Sequence, residues 1–443
     1  MSEYLARSRV TKALTDSGLA PSFAAAEARL DAIVPCIAVG ADMMASQAGQ
    51  TAALTAVVTA KKCFGRVVVA GEGLETPLHQ PLLVGDSLGS AAQALGASIE
   101  NAIPEKTTHL IRLGWYVPWE GWQVAGWWNR WLAGTRRDPE PVGGATLSLA
   151  GMFAGALAVR QIFAHALDGM PPREETVSLW EPGAPAQFDQ IGPAQCTLPG
   201  KLWLLGLGHL GQAFIWGLLS LPLRGERYAI LQDDQWVAVE NEATSVLVGP
   251  GDLDLRKARL AARWLDHAGW TTELIERRHR GDIRRMPHDP QILLAGLDSV
   301  KARRTLVAHG FDYMIDAGIG RGARGFETLQ IRTIPAGTSI DGLWLAEDVE
   351  TRRDQVMGKD AYVALEQDIG QCGVVPLADA SVSVPFVGAA TAALSLAQLA
   401  RLGAMQTTSA LLQIELGAPG MVIDGGAVGA PESFLGGQTF ALD

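Results

Sequence analysis

From Lys201 the chain alternates short apolar runs with longer amphipathic stretches. Leu202 to Leu205 is an apolar run ending in Gly206-Leu207-Gly208-His209-Leu210-Gly211. A helical pattern then predicts a helix over Gln212 to Leu221, stopped by Pro222. A second apolar run, Tyr228 to Leu231, leads into Asp233 and Asp234. Further on, a helix starts near Asp254 and carries Lys257, and Thr272 to Glu276 reads as a strand. Ile292 to Ala295 is another strand, ending in Gly296-Leu297-Asp298 with Arg303 five residues on. Tyr313 to Ile315 is a further strand, ending in Asp316-Ala317-Gly318-Ile319-Gly320.

The first half carries a weaker version of this alternation. Helices are predicted over Gln47 to Lys61, Asp86 to Ala97 and Thr146 to Leu167, and strands over Arg66 to Ala70 and Thr108 to Leu113. Pro141 to Ala145 is a break, and Glu181 to Gln195, rich in Pro and Gly, is a linker. The expected fold is α/β: a Rossmann-like, doubly wound, mostly parallel sheet in residues 196–443, with a second α/β layer in residues 1–195.

The glycine turn has a physical logic. Gly206 allows the tight turn, Gly208 lets backbone amides approach a phosphate, and Gly211 lets the helix sit close to the strand. The helix amino terminus favours an anion. An acid pair at the end of the next strand can hold ribose hydroxyls. The turn alone fits a nicotinamide-dependent oxidoreductase equally well, and glycines kept only for packing are the structural alternative to a bound nucleotide. The corresponding turn of the first half, Ala70-Gly71-Glu72-Gly73-Leu74-Glu75, lacks the third glycine and sets two acids where phosphate would sit, so no nucleotide site is expected there.

Composition narrows the field. At 443 residues, 48% hydrophobic and 19% charged, the chain can bury a large core and is not disordered. A net charge of -11 argues against nucleic acid as the main partner. Cys36, Cys63, Cys196 and Cys372 lie far apart, with no CxxC pair, which disfavours structural zinc and suits a reducing cytoplasm. MSEYLARSRV lacks the apolar core of a signal peptide. Val382 to Ala400 is uncharged but broken by Pro385, Gly388 and polar residues, so it reads as a buried helix rather than a membrane span. Six tryptophans, Trp115, Trp119, Trp122, Trp127, Trp128 and Trp131, fall within 17 residues. They either pack a domain or subunit seam or form an anchor surface for a partner.

Taken together, Leu202 to Gly320 resembles the adenylation domain of the ThiF/MoeB/ubiquitin-activating enzyme superfamily. The resemblance rests on Gly206, Gly208 and Gly211, on Asp233 and Asp234, and on Asn241 with Lys257 sixteen residues later. Asp298 with Arg303, and the helix entry Val384-Pro385-Phe386-Val387-Gly388, complete it. It implies that ATP and Mg2+ are bound and that a carboxylate attacks the α-phosphate. The carboxylate would be the terminus of a ubiquitin-like or sulfur-carrier protein. Asp233 or Asp234 would hold the ribose, Lys257 would offset triphosphate charge, and Asp298 would hold Mg2+ or orient the reacting groups. One departure is that Thr244 stands where relatives carry an arginine, so Arg7, Arg9 or a partner subunit would have to supply that cation, or the chain is a weak or inactive adenylating enzyme. Cys372, in Asp368-Ile369-Gly370-Gln371-Cys372-Gly373-Val374, lies where activating enzymes keep a thioester cysteine. Gly151 to Leu167 resembles Val387 to Leu402, which implies a fused, inactive partner half and an internal pseudo-dimer. A conjugating enzyme and homo-oligomers are further expected partners. A scaffold that only binds a partner protein is the alternative from outside enzymology.

Overall fold

The computed structural model describes residues 6–137, 147–184, 192–306, 310–339, 341–344, 356–430 and 437–442, with the side chains of 368, 369 and 371–373 left aside. Its helices are α1 (Ser8–Thr15), α2 (Phe23–Asp31), α3 (Ala41–Met44), α4 (Gln47–Phe64), α5 (Leu88–Ala94), α6 (Ser148–Asp168), α7 (His209–Ser220), α8 (Val239–Thr244), α9 (Lys257–His267), α10 (Val300–Arg304), α11 (Gly322–Gly325), α12 (Asp360–Ile369), α13 (Gln371–Asp379) and α14 (Pro385–Gly403).

Seven strands form the first sheet: β1 (Pro35–Val39), β2 (Val68–Gly71), β3 (Ser98–Glu100), β4 (His109–Leu113), β5 (Trp122–Asn129), β6 (Leu132–Arg136) and β7 (Glu175–Ser178). After β8 (Gln195–Leu198) come β9 (Lys201–Leu205), β10 (Arg224–Gly225), β11 (Tyr228–Gln232), β12 (Thr271–Ile275), β13 (Ile292–Ala295), β14 (Tyr313–Ile319), β15 (Thr328–Pro335), β16 (Thr408–Ser409), β17 (Leu411–Glu415), β18 (Val422–Asp424), β19 (Ala427–Val428) and β20 (Gln438–Ala441). The first sheet has the order β3-β2-β1-β4-β5-β6-β7, and the second β12-β11-β9-β13-β14-β15-β17-β18.

The two orders are the same pattern. In each, the first strand lies between the second and fourth, the first five strands are parallel, and the later strands return antiparallel. A long helix follows the first strand in both (α4, α7), and another follows the sixth (α6, α14). The chain is thus two α/β domains of one topology, each with a parallel-rich sheet.

These four helices form the seam between the sheets. Small residues let them approach closely: a Cβ added at Gly151 would lie 2.2 Å from the carbonyl oxygen of Ala48, and one at Gly155 2.4 Å from that of Ala52. Ser46 caps the start of α4, left-handed Gly65 and Gly169 end α4 and α6, and Pro385 opens α14 at its first turn. Polar bonds also cross the seam. Trp216 Nε1 donates to Thr55 Oγ1 at 2.9 Å, and Gln47 Nε2 to the Ser220 carbonyl at 2.7 Å. Arg160 of α6 makes a buried two-bond pair with Glu327, at 3.0 and 2.7 Å. α6 and α14 are long and apolar enough to span a bilayer, yet both are buried almost end to end in this seam.

Three sequence expectations are corrected. β14 runs on to Ile319 because β15 pairs with it along its length, so Asp316 lies inside the strand opposite Arg332, only 2% exposed. The helix expected from Asp254 begins at Lys257, since Asp254 takes a left-handed turn (φ 63°). The tryptophans offer no shared partner surface. Trp128 and Trp131 are fully buried and Trp127 nearly so, and Trp131 packs on Trp180 and Phe440. Trp115 and Trp119 cover the small core beneath β1, β2 and β4. Pro141 to Ala145 lies outside the described residues.

Candidate functional site

The carboxyl ends of β9, β11, β12, β13 and β14 open into one cavity of about 1070 Å³. This is where a doubly wound sheet has room for a ligand. Gly206 sits at φ +81°, a conformation that favours glycine. A Cβ at Gly211 would meet the Gly206 carbonyl oxygen at 2.1 Å, so only glycine allows α7 to sit against the turn. Gly208 is the open position, with Lys257 Nζ 4.0 Å from where its Cβ would be.

The acid pair divides its work. Asp233 accepts from the Leu207 amide at 2.7 Å and the Gln235 amide at 2.7 Å, so its carboxylate is spent holding the glycine turn to the end of β11. Burial raises its pKa, opposed by those amides and by Lys257. Asp234 lines the cavity, and its carboxylate has no hydrogen-bond partner among the described residues. Of the two, it is the acid left for a ligand.

Lys257 is 6% exposed at the first turn of α9, and its Nζ donates to Gln235 Oε1 at 2.7 Å. Burial lowers its pKa, while Asp233 and Glu240 act to raise it. Asn241 lines the same wall, its Oδ1 capping α8 through the Ala238 amide at 2.9 Å. Asp298 is exposed at the end of β13, on the side facing Lys257 and Arg9. Arg303 reaches the cavity wall, but its guanidinium is bonded to the Leu297 and Ala317 carbonyls and lies 3.3 Å from the Asp316 carboxylate. It ties β13 to β14. Asp316 also accepts from Trp344 Nε1 at 3.0 Å, and burial raises its pKa.

The position of the absent arginine is occupied in another way. Thr244 is buried, and its carbonyl accepts from His209 Nδ1 at 2.5 Å. His209 Nε2 is buried without a partner among the described residues, and burial lowers the ring's pKa to about 4, so the imidazole is neutral. The ring lies against Gly388 of α14: a Cβ there would be 2.5 Å from Nε2. The glycine of the Pro-Phe-Val-Gly entry is therefore the space this ring needs.

A cation does reach the cavity from the amino terminus. Arg9 of α1 lines it, with its charge near Glu240 and Asp298. Its Nε donates to the Ser381 carbonyl at 3.1 Å, and its own carbonyl accepts from the Ser383 amide at 3.1 Å. Arg7 points elsewhere, in ion pairs with Glu27 and Asp31 at 2.7 Å each.

The Cys372 backbone lies in α13, just past left-handed Gly370. Its side chain lies outside the described residues. Cys36, Cys63 and Cys196 are buried, and burial pushes the Cys36 and Cys196 thiols up to about 12 and the Cys63 thiol up as well. These three are poor nucleophiles.

Sequence reasoning passed over the role of His209 and a basic run, Arg277-Arg278-His279-Arg280, on the cavity rim. Four cationic or imidazole side chains in succession, in a chain of net charge -11, would have been the signal. The equivalent crevice of the first sheet is shut. A Cβ at Gly40 would lie 2.2 Å from the Gly114 carbonyl oxygen, Trp115 covers Gly71, and Met43 covers Gly114.

Two family models match the chain: the BilD N-terminal domain over residues 36–177 and the BilD C-terminal domain over residues 198–405. The bacterial E1-like protein BilD of Collimonas sp. (strain OK412) is 34% identical over 411 residues, covering 89% of this chain and 87% of that protein. Among solved structures, E. coli MccB with succinimide is similar at a TM-score of 0.35 and 13% identity, covering 53% of this chain and 64% of that chain. E. coli MccB with ATP gives 0.35 and 14%, covering 52% and 64%. The chain thus spans a little under two thirds of MccB.

Proposed function

The chain belongs to the BilD family, and from that premise we propose that it activates a carboxylate with ATP. The carboxylate oxygen attacks the α-phosphorus; the acyl–O–P bond forms, the bond to the β-phosphate oxygen breaks, and pyrophosphate leaves. The acyl donor is the carboxyl terminus of a ubiquitin-like or sulfur-carrier protein. The observation that carries this reading is the convergence of Arg9, Lys257, Asp298 and the glycine turn on one cavity.

In this reading the amides around Gly208 and the start of α7 hold the triphosphate, and Asp234 accepts from the ribose. Lys257 and Arg9 offset charge that develops on the phosphates, with Arg9 supplied within the chain in place of the arginine missing at Thr244. Mg2+, when bound by the phosphates and Asp298, would add Lewis-acid charge; one carboxylate suffices for that, and no cluster of three metal-ligating side chains occurs among the described residues. With nucleotide over β9 and β11, the wall of β13–β15 is left for the acyl tail. Cys372 would then take the acyl group as a thioester, its thiolate displacing AMP. The closed crevice of the first half supports an inactive, nucleotide-free partner domain over residues 1–195, which makes the chain an internal pseudo-dimer.

The test is ATP binding by calorimetry and pyrophosphate–ATP exchange with peptides ending in Gly-Gly. Lys257→Ala and Asp298→Ala should abolish exchange. Arg9→Ala should slow it by about 10³-fold, while Arg7→Gln leaves it near wild type. Hydride transfer from bound NAD, or equal loss in both arginine variants, would overturn the assignment.

A further inference from the structure

The rim beyond β12 carries charge that the site does not use. Residues 277–286 read Arg-Arg-His-Arg-Gly-Asp-Ile-Arg-Arg-Met. The loop is anchored from within: Ile283 is 4% exposed in the small core under β9, β11 and β13, and Arg277 pairs with Asp282 at 2.5 Å. His279 Nε2 lies 2.8 Å from Thr305 Oγ1, and Arg285 Nε donates to the Gly310 carbonyl at 2.9 Å. With those anchors made, Arg278, Arg280 and Arg284 stand exposed with no side-chain partner among the described residues, and Met286 is 54% exposed beside them. Arg278 and Arg280 line the cavity mouth, and Lys301, exposed and with no side-chain partner among the described residues, faces it from the β13 side.

A fixed loop that spends some arginines on its own shape and leaves others bare is built to meet an anion. The triphosphate is not that anion. The phosphate turn follows β9, whereas Arg278 and Arg280 follow β12, two strands away and past the acid pair that ends β11. Nucleic acid fits poorly, because a long polyphosphate would overrun the patch onto a chain of net charge -11. A compact acidic protein face would cover the patch alone, and exposed arginine with methionine is typical of interface composition.

We propose that loop 277–286 with Lys301 is the docking rim for an acidic face of the protein whose carboxyl-terminal tail enters the cavity. The proposal rests on the reading that the second substrate is a protein. Charges on an exposed rim act mainly on encounter rate and salt dependence.

The experiment compares the full chain with the triple variant Arg278→Ser, Arg280→Ser, Arg284→Ser. The probes are a fluorescent glutamate-rich peptide ending in Gly-Gly and a lysine-rich peptide of equal length, read by anisotropy. The wild type should prefer the acidic peptide by about tenfold or more at low salt, and the preference should fade as ionic strength rises past about 0.15 M. The triple variant should lose the preference while keeping its melting temperature and its MgATP affinity. Equal binding of both peptides, or a preference surviving in the variant, overturns the proposal. Parallel loss of MgATP affinity would make the loop a phosphate clamp instead. Tighter binding of single-stranded DNA, lost in the variant, would assign the rim to nucleic acid. Absence of MgATP binding by the wild type would sink the adenylation reading and leave the peptide comparison standing.

Discussion

Gly388→Ala should reverse its sign depending on residue 209. Alanine in a helix interior ordinarily stabilises by about 1 kcal/mol over glycine. Here the added methyl would sit 2.5 Å from Nε2, 2.9 Å from Cδ2 and 3.0 Å from Cε1 of the His209 ring. Nε2 is buried and Nδ1 is tied to the Thr244 carbonyl at 2.5 Å, so the ring can yield to the methyl only by breaking that hydrogen bond and turning toward the cavity it lines. Overpacking of this kind costs about 1–3 kcal/mol, which outweighs the helix gain. His209→Ala alone leaves the Thr244 carbonyl without its donor, at a cost of about 1–3 kcal/mol. In that background the extra methyl meets space, and Gly388→Ala becomes neutral or stabilising. The coupling between the two sites is then about 2 kcal/mol, or roughly 4–8 °C in melting temperature for a domain of this size. Urea denaturation of the four proteins with matched slopes measures it. Equal effects of Gly388→Ala in both backgrounds would refute the steric argument.

The remaining expectations concern the seam and acid stability. Arg160→Met leaves Glu327 buried without its cation and should cost about 3–5 kcal/mol of unfolding free energy, read by urea denaturation; the added change Glu327→Leu should recover most of it, and failure to recover would mean the loss does not come from the unpaired carboxylate. His109 and His209 both have pKa values lowered by burial to about 4, from an ordinary value of 6.5. The unfolded chain therefore takes up protons first as pH falls, so the stability these rings contribute is complete above pH 6.5 and is lost on the way down to about 4. Denaturation of His209→Asn across this range should show a shallower acid loss than wild type.

In the second sheet β9, β11 and β13 are readable in the sequence because each is an apolar run ended by a glycine or an acid, and β13 matches to the residue. In the first sheet β1, β3 and β5 escape the reading, β3 because it is short and polar and β5 because its tryptophans read as a cluster rather than a strand. The glycine turn was readable for the same reason: its constraints are local, and each glycine has the geometric role its position implies. The misreadings at the site are long-range. β14 was cut short at Ile315 because the Asp316 carboxylate looks like a strand end until β15 and Trp344 bury it. Asp233 and Asp234 were interchangeable in sequence, and the Leu207 amide is what tells them apart. Nothing local separates Arg7 from Arg9. The difference is that Ser381 and Ser383 meet one of them and Glu27 and Asp31 the other.

The seating of α1 has a consequence for how the protein is made. Arg9 is bound to a carbonyl 372 residues further along the chain, and Lys12 and Asp16 meet Tyr362, with Asp16 Oδ1 accepting from its hydroxyl at 2.6 Å. During synthesis α1 emerges ahead of the other described helices, yet Tyr362 and Ser381, which bond its side chains, come 350 and 372 residues later. The first sheet is finished at β7 and has all its strands long before then. A nascent chain can therefore hold a complete first sheet while the cavity of the second domain still lacks Arg9, which is seated only when α1 docks on the segment around Ser381 and Ser383.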